Sequence, residues 1–391
     1  MAGVSSLTLL LGMLIALTPL GTDSWQPILP ALAAALDAPV AAAQLTVTTF
    51  FIGLAIGQFA WGPLSDRFGR RPMLGAGLLL ACIAALACVP AGSVGEVAAA
   101  RFVLGLGMSS GPVIARAIVR DLHSHEKAAR LMARMVVVFS IVPIAAPLLG
   151  GAMLALAGWR GVLWLYGIVC AVLLLATIFS LRESVPEQRA SLHPGTLLRA
   201  YGAILREPRF LAPYGAQLCS QIGIFAFVSN SAFTLVRGFG VSAGAYSVMF
   251  AGVMLGQITG AWVSSRWVTR FGLGRLLRTG ALLVALSGAA AAALAWAGVA
   301  HWTAVILPFV AYMCGTALIM PNATAAALSP FPHSAGAASS VMGASQFAVG
   351  AVVSAALGLL FEGSARPLTS AAALGGIGAF LIERSFVRRA G

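Results

Sequence analysis

Runs of about 20 predominantly apolar residues recur along this chain, and they leave few folds open to it. At about 1.5 Å per helical residue, each run is long enough to cross a hydrocarbon core of roughly 30 Å. Twelve lie near 7–29, 44–64, 74–92, 97–119, 132–155, 161–181, 210–232, 243–265, 276–298, 303–328, 335–361 and 367–384. Only 9% of the 391 residues are charged and 60% are hydrophobic, whereas a soluble domain is about 25% charged. A water-soluble fold of this composition could not cover its own surface. The expectation is an all-α membrane protein with twelve transmembrane helices. No Lys or Arg precedes Arg67, so the first run lacks the basic start of a signal peptide and is expected to remain as a helix.

The net charge of +13 could point to nucleic acid, and the positions of the charges argue against it. A nucleic-acid reader gathers its basic residues on one face of a soluble domain. Here they fall in short connections, and alternate connections hold nearly all of them. Arg67, Arg70 and Arg71 follow the second run. Arg116, Arg120, Lys127, Arg130 and Arg134 follow the fourth, and Arg182, Arg189, Arg199, Arg206 and Arg209 the sixth. Arg266, Arg270, Arg275 and Arg278 follow the eighth, and Arg384, Arg388 and Arg389 lie near the C-terminus. The other side keeps Arg101, Arg160, Arg237 and Arg366, four of the 24 basic residues. By the positive-inside rule both termini and the even-numbered connections are cytoplasmic.

The longest polar stretch, 182–209, follows the sixth run and divides the chain. The expected organisation is a six-helix half over 1–185, a cytoplasmic linker over 186–209 and a second six-helix half over 210–391. Arg67-Phe68-Gly69-Arg70 after the second run recurs as Arg270-Phe271-Gly272-Leu273 after the eighth. Two six-helix halves related by an axis along the membrane normal are one large transporter architecture.

Charges left inside the membrane carry most of the functional information. Asp23 is about 15 residues along the first run, roughly 22 Å from its cytoplasmic end. An acid at membrane depth costs about 2.5–3.5 kcal/mol on insertion scales, so a transport role is its default reading. We read it as a proton-carrying group and as part of the substrate site. Arg101, about four residues inside the outer end of the fourth run, is its natural partner by depth, although a shallow Arg can also snorkel to the interface. Trp25, Gln26, Gln44, Phe50, Gln58, Gln221, Phe225, Phe227, Asn230, Gln257, Asn322 and Gln346 are the other intramembrane candidates for a cavity wall. Such groups serve equally as ties between helices. The five cysteines lack ligand spacing and are read as small apolar residues. His123 and His125 stand without further ligands, so no metal and no cofactor are expected.

The segment Gly62-Pro63-Leu64-Ser65-Asp66-Arg67-Phe68-Gly69-Arg70-Arg71-Pro72 resembles the signature loop of the major facilitator superfamily. Thr22-Asp23-Ser24-Trp25-Gln26-Pro27-Ile28-Leu29-Pro30, Arg101-Phe102-Val103-Leu104-Gly105 and Val142-Pro143-Ile144-Ala145-Ala146-Pro147-Leu148-Leu149-Gly150-Gly151 narrow the likeness. With Ala115–Asp121 and Phe331–Gly336, they are similar to the drug:proton antiporters of the bicyclomycin and chloramphenicol resistance (Bcr/CflA) branch. The chain departs from that pattern at Ala146, where many antiporters have Gly, and at Leu104, where a Gln is common.

The resemblance implies a gating role for Gly62, Asp66, Arg67, Gly69, Arg70 and Asp121. Asp66 would cap the start of the eleventh span, near Ala335 to Ala338, and Arg70 would pair with Asp121. It also implies an inward-facing Arg101 and an antiport helix built on Pro143, Pro147, Gly150 and Gly151. In the second copy Thr269 replaces the acid, so the latch is expected to be missing there.

The function expected is proton-coupled efflux of amphipathic drug-like compounds such as chloramphenicol or bicyclomycin across a bacterial inner membrane, by a monomer in contact with lipid. The alternative is an exporter of a sugar or amino acid with the same fold. A membrane enzyme or receptor is the distant alternative. No nucleophile elbow, HExxH or phosphate loop occurs in the connections.

Overall fold

Lipid offers no partner to a backbone N–H or C=O, so a spanning segment must close its hydrogen bonds within itself. The computed structural model describes residues 6–122, 125–184, 194–331, 335–361 and 363–390, and every regular element among them is helical. In chain order they are α1 (Ser6–Asp23), a 3-10 turn (Gln26–Ile28), α2 (Leu29–Ala35), α3 (Val40–Phe68), α4 (Arg70–Ala87), α5 (Val94–Met108), α6 (Ser110–Leu122) and α7 (His125–Ala157). There follow α8 (Trp159–Ser180), α9 (Pro194–Ile204), α10 (Pro208–Ala232) with a π-helical end (Phe233–Gly238), α11 (Ala243–Trp296), α12 (Thr303–Leu328), α13 (Ala335–Leu359) and α14 (Arg366–Ala390). Among the described residues, 9 helices are long and apolar enough to cross a membrane. One is the 54-residue α11, long enough to cross twice. With the apolar part of α7, Ile141–Ala157, and with α14, twelve crossings result.

The chain forms two compact units, Met1–Leu197 and Leu198–Gly391. In the first, α3 lies along α5, α4 along α8 and α1 along α7. In the second, α11 lies along α12 and α14, and α10 touches α12, α13 and α14.

Several expected boundaries differ from the structure. The fourth span is two helices, α5 and α6, meeting at Ser109. The eighth and ninth spans have no loop between them: α11 runs through, interrupted only at Gly272, with φ 78° and ψ 161°. A single residue turns the chain there because glycine carries no Cβ to forbid that conformation. The expected linker is not all loop either. Residues 185–193 lie outside the described residues, but α9 is a helix, and its Ile204 and Tyr201 pack with Phe210, Tyr214, Val341 and Met342. An amphipathic pattern of Leu197, Leu198, Tyr201 and Ile204 in a polar stretch was the available signal. Residue 123 and residues 332–334 of the Phe331–Gly336 motif also lie outside the described residues. Both antiport-helix prolines sit inside a continuous α7. Gly150 is the point where α7 meets the chain after α1: a Cβ there would lie 2.1 Å from the Ser24 carbonyl oxygen.

Candidate functional site

The last turn of a helix leaves carbonyls without partners, and those carbonyls attract cations. In the first unit α1 ends at Asp23, and the Gly21 carbonyl accepts a hydrogen bond from Arg101 Nη2 at 3.0 Å. Arg101 Nε donates to the Thr46 carbonyl at 3.3 Å. The guanidinium carbon lies 3.9 Å from the Phe50 ring centroid, 4.4 Å from that of Trp25 and 5.9 Å from that of Tyr166. Cation–π contact is worth about 2 kcal/mol or more when desolvated. Three ring faces and two carbonyls thus hold a charge that is only 1% exposed. Snorkelling is excluded by that burial. The helix also starts earlier than expected, at Val94, because Ser93 caps it by accepting from Glu96 N while Glu96 accepts from Gly92 N. Arg101 is therefore seven residues, or roughly 10 Å, inside the helix end.

Close backbone approach makes this arrangement possible. A Cβ at Gly105 would lie 2.3 Å from the Phe50 carbonyl oxygen, so α5 and α3 meet with no side chain between them one turn beyond Arg101. Leu104 is buried beside it.

Asp23 is 6% exposed, and its Oδ1 accepts from Thr22 Oγ1 at 2.8 Å. The expected Asp23–Arg101 ion pair is absent: among the described residues the only ion pairs within 4.0 Å are those of Arg70. The physical reason is that the carbonyls of Gly21 and Thr46 and the surrounding rings already occupy Arg101. Its Nη1 atom is buried without a hydrogen-bond partner, as is Gln26 Oε1. Trp25, Gln26 and Phe50 are buried in this same layer. The sequence reading missed two of its members. Tyr166 hydrogen-bonds Ser24 Oγ at 2.8 Å, and Thr46 Oγ1 accepts from Trp25 Nε1 at 3.0 Å. Tyr166 could have been flagged as the only Tyr before residue 201.

A second charged cluster lies where α3 turns into α4. Gly69, with φ 111°, makes the turn. Arg70 is buried; its Nε donates to Asp121 Oδ2 at 2.8 Å, and its Nη1 to Ser65 Oγ at 2.7 Å while also pairing with Asp66. Asp66, expected to cap a helix start, is in this structure a partner of Arg70. Glu183 was not anticipated. Its carboxylate accepts from the backbone N–H of Arg70 at 2.9 Å and of Arg71 at 3.3 Å, which caps α4 at the end where an anion is favoured. Gly62 lies within α3, and Arg67 is exposed beside the Phe68 ring.

In the second unit the candidate residues divide. Gln221 Nε2 donates to Gln346 Oε1 at 3.0 Å, and Phe225 meets Phe347 edge to face with centroids 6.2 Å apart. These four form one patch between α10 and α13. Asn230 and Asn322 are not part of it. Asn230 donates to the Leu357 carbonyl and accepts from Thr234, while Asn322 donates to Ser264 Oγ at 2.9 Å and to the Leu318 carbonyl. Both are ties between or within helices, the use that polar groups in membrane helices share with ligand binding. Among the described residues no group of three or more His, Cys, Asp or Glu could hold a metal.

Three comparisons bear on this arrangement. The family model described as Major Facilitator Superfamily matches residues 11–381. The bicyclomycin resistance protein homolog of Haemophilus influenzae is 30% identical over 362 residues, covering 92% of this chain and 90% of that protein. Multidrug resistance protein D of Escherichia coli is 27% identical over 342 residues, covering 87% and 85%. The crystal structure of a D-xylose-proton symporter superposes with a TM-score of 0.77 over 96% of this chain and 95% of its own, at 17% identity, a likeness of fold. With the signature turn after α3, the twelve crossings and a match over nearly its whole length, this chain is a multi-pass membrane protein belonging to the Major Facilitator Superfamily.

Proposed function

We propose that the chain is a proton-coupled multidrug efflux antiporter of a bacterial inner membrane, with both termini in the cytoplasm, exporting amphipathic molecules such as chloramphenicol or bicyclomycin by alternating access. The resistance proteins among its relatives support the substrate class. The observation that carries the coupling is a buried acid and a buried arginine in one layer of the first unit, unpaired with each other. Asp23 carries the proton. When it is released, the carboxylate competes with the Gly21 carbonyl for Arg101, and the free Nη1 hydrogen gives it a place to bind. The exchange pulls on the end of α1, because Arg101 ties that end to α5. One proton moving inward against one neutral molecule moving outward transfers net charge, worth about 2.3 kcal/mol per 100 mV. In the second unit, the patch of Gln221, Gln346 and Phe225 supplies amide and aromatic contacts to the exported compound. The turn of Asp66, Arg70 and Asp121 acts in gating.

Everted membrane vesicles test this. Wild-type protein is expected to drive chloramphenicol-like or bicyclomycin-like compounds uphill on a pH gradient, and Asp23→Asn is expected to abolish the uphill component while leaving downhill exchange. Uphill transport at the wild-type rate in the Asn variant overturns the proton assignment. A reporter fused after residue 195 is expected to read cytoplasmic.

A further inference from the structure

We propose that the break in α11 is a docking surface for anionic phospholipid headgroups of the cytoplasmic leaflet. The side of the membrane rests on the orientation given above; the surface itself rests on geometry. Arg266 and Arg270 stand one helical turn apart before Gly272, and Arg275 and Arg278 stand one turn apart after it, all four exposed. None has a carboxylate within 4.0 Å among the described residues. Of the four, Arg278 alone feels a described acid: Glu383 of α14, which is buried and forms no ion pair among the described residues. Trp267 and Phe271 are stacked at 5.3 Å with an interplanar angle of 21°, and the Arg270 guanidinium lies 5.5 and 5.7 Å from the two rings. A basic row therefore runs beside an aromatic one, the pairing found where a protein meets the headgroup layer.

The lipid reading is favoured over a soluble acidic partner by what lies along the same helix. Leu255, Ile258 and Trp262 recur at turns of α11 leading up to Arg266, and each is exposed. An acyl chain lying on that row brings its phosphate to Arg266 and Arg270. Around Gly272 and Gly274 there is room as well: a Cβ built at either would meet nothing within 4 Å. The first copy of the Arg-Phe-Gly turn differs: Asp66, Asp121 and Glu183 engage Arg70 and the start of α4, which leaves Arg67 beside Phe68 as its exposed basic–aromatic pair.

The test uses the full-length protein in nanodiscs containing a photoactivatable phosphatidylglycerol or a phosphatidylcholine with the same reactive tail, adducts being mapped by peptide mass spectrometry. Phosphatidylglycerol is expected to label residues 255–278 at least roughly fivefold more than phosphatidylcholine, the effect of about one engaged basic residue. R266Q/R270Q is expected to reduce labelling to the phosphatidylcholine level, and R206Q/R209Q to leave it unchanged. Equal labelling by the two wild-type mixtures, a result that needs no variant to fold, overturns the proposal. So does full competition by millimolar inorganic phosphate, which would make this a free-anion site. Protection by a soluble acidic polypeptide in place of phosphatidylglycerol would assign the surface to a protein partner and overturn it too. A nanodisc has both leaflets alike and no gradient, so failure of the antiport or orientation reading leaves this result standing.

Discussion

The two units bury different kinds of polar group. The first encloses ions: Asp23, Arg101 and Arg70 are all under 10% exposed. The second encloses mainly neutral amides and hydroxyls, with Gln217 bonded to Thr324, Gln221 to Gln346, Asn322 to Ser264 and Tyr214 to Ser345; among the described residues Glu383 is its one buried acid. The same contrast holds for the two Arg-Phe-Gly turns. In the first, Asp66 and Arg70 pair; in the second, Thr269 and Leu273 occupy the corresponding places and the arginines face outward. An ion in low dielectric interacts over a longer range than an amide, so moving one proton has the greater mechanical effect in the first unit. The amides of the second are suited to holding neutral polar atoms without committing to a charge.

The sharpest way to break this contrast is to remove the central ion. Arg101→Ala strips two charge-assisted hydrogen bonds, each worth about 1.5–3 kcal/mol, and is expected to lower pH-driven efflux roughly 100-fold in everted vesicles; near-normal efflux would show that the first unit does not depend on its buried ion. Gly105→Val separates α3 from α5 and is expected to cost about 2–3 kcal/mol by overpacking, read as a lower melting temperature in detergent. Arg70→Ala leaves Asp121 without its cation. Buried pairs broken this way cost roughly 3–5 kcal/mol, but Asp66 is 40% exposed, so about 2 kcal/mol is expected, with faster proteolysis near the α3–α4 turn. Asn322→Ala samples the second unit, where a single tie between membrane helices is worth about 0.6 kcal/mol; a loss as large as that of Arg70→Ala would erase the distinction. Smallest of all, T269D/L273R installs in the second turn the pair found in the first. Being on an exposed surface, it is expected to change melting by under about 0.5 kcal/mol.

Hydropathy alone revealed the spans, because membrane crossing imposes a length that a run of apolar residues displays directly. Asp23 and Arg101 were legible for the same reason: a charge inside such a run has no topological use. Their relationship was not. Arg101 takes its bonds from carbonyls 80 and 55 positions away, and a carbonyl has no letter in the sequence. Tyr166 reaches Ser24 across 142 positions. Glu183 looked like one more residue of the polar stretch 182–209 until the fold brought it to the first N–H groups of α4. That α11 stays helical on both sides of its break at Gly272 was hidden by its basic residues, which read as a loop because charge and helicity are separate properties. Asn230, Asn322 and Gln221 are alike in residue type and depth; only the fold reveals the partner of each.

The surroundings of Arg101 also carry an order of synthesis. Gly21, Trp25, Thr46 and Phe50 all precede it in the chain, and only Tyr166 follows. When α5 leaves the ribosome, both carbonyls and two of the three rings that receive its cation have already been made. The costliest side chain in this unit need not wait in lipid for a distant partner, and α8 closes over it afterwards.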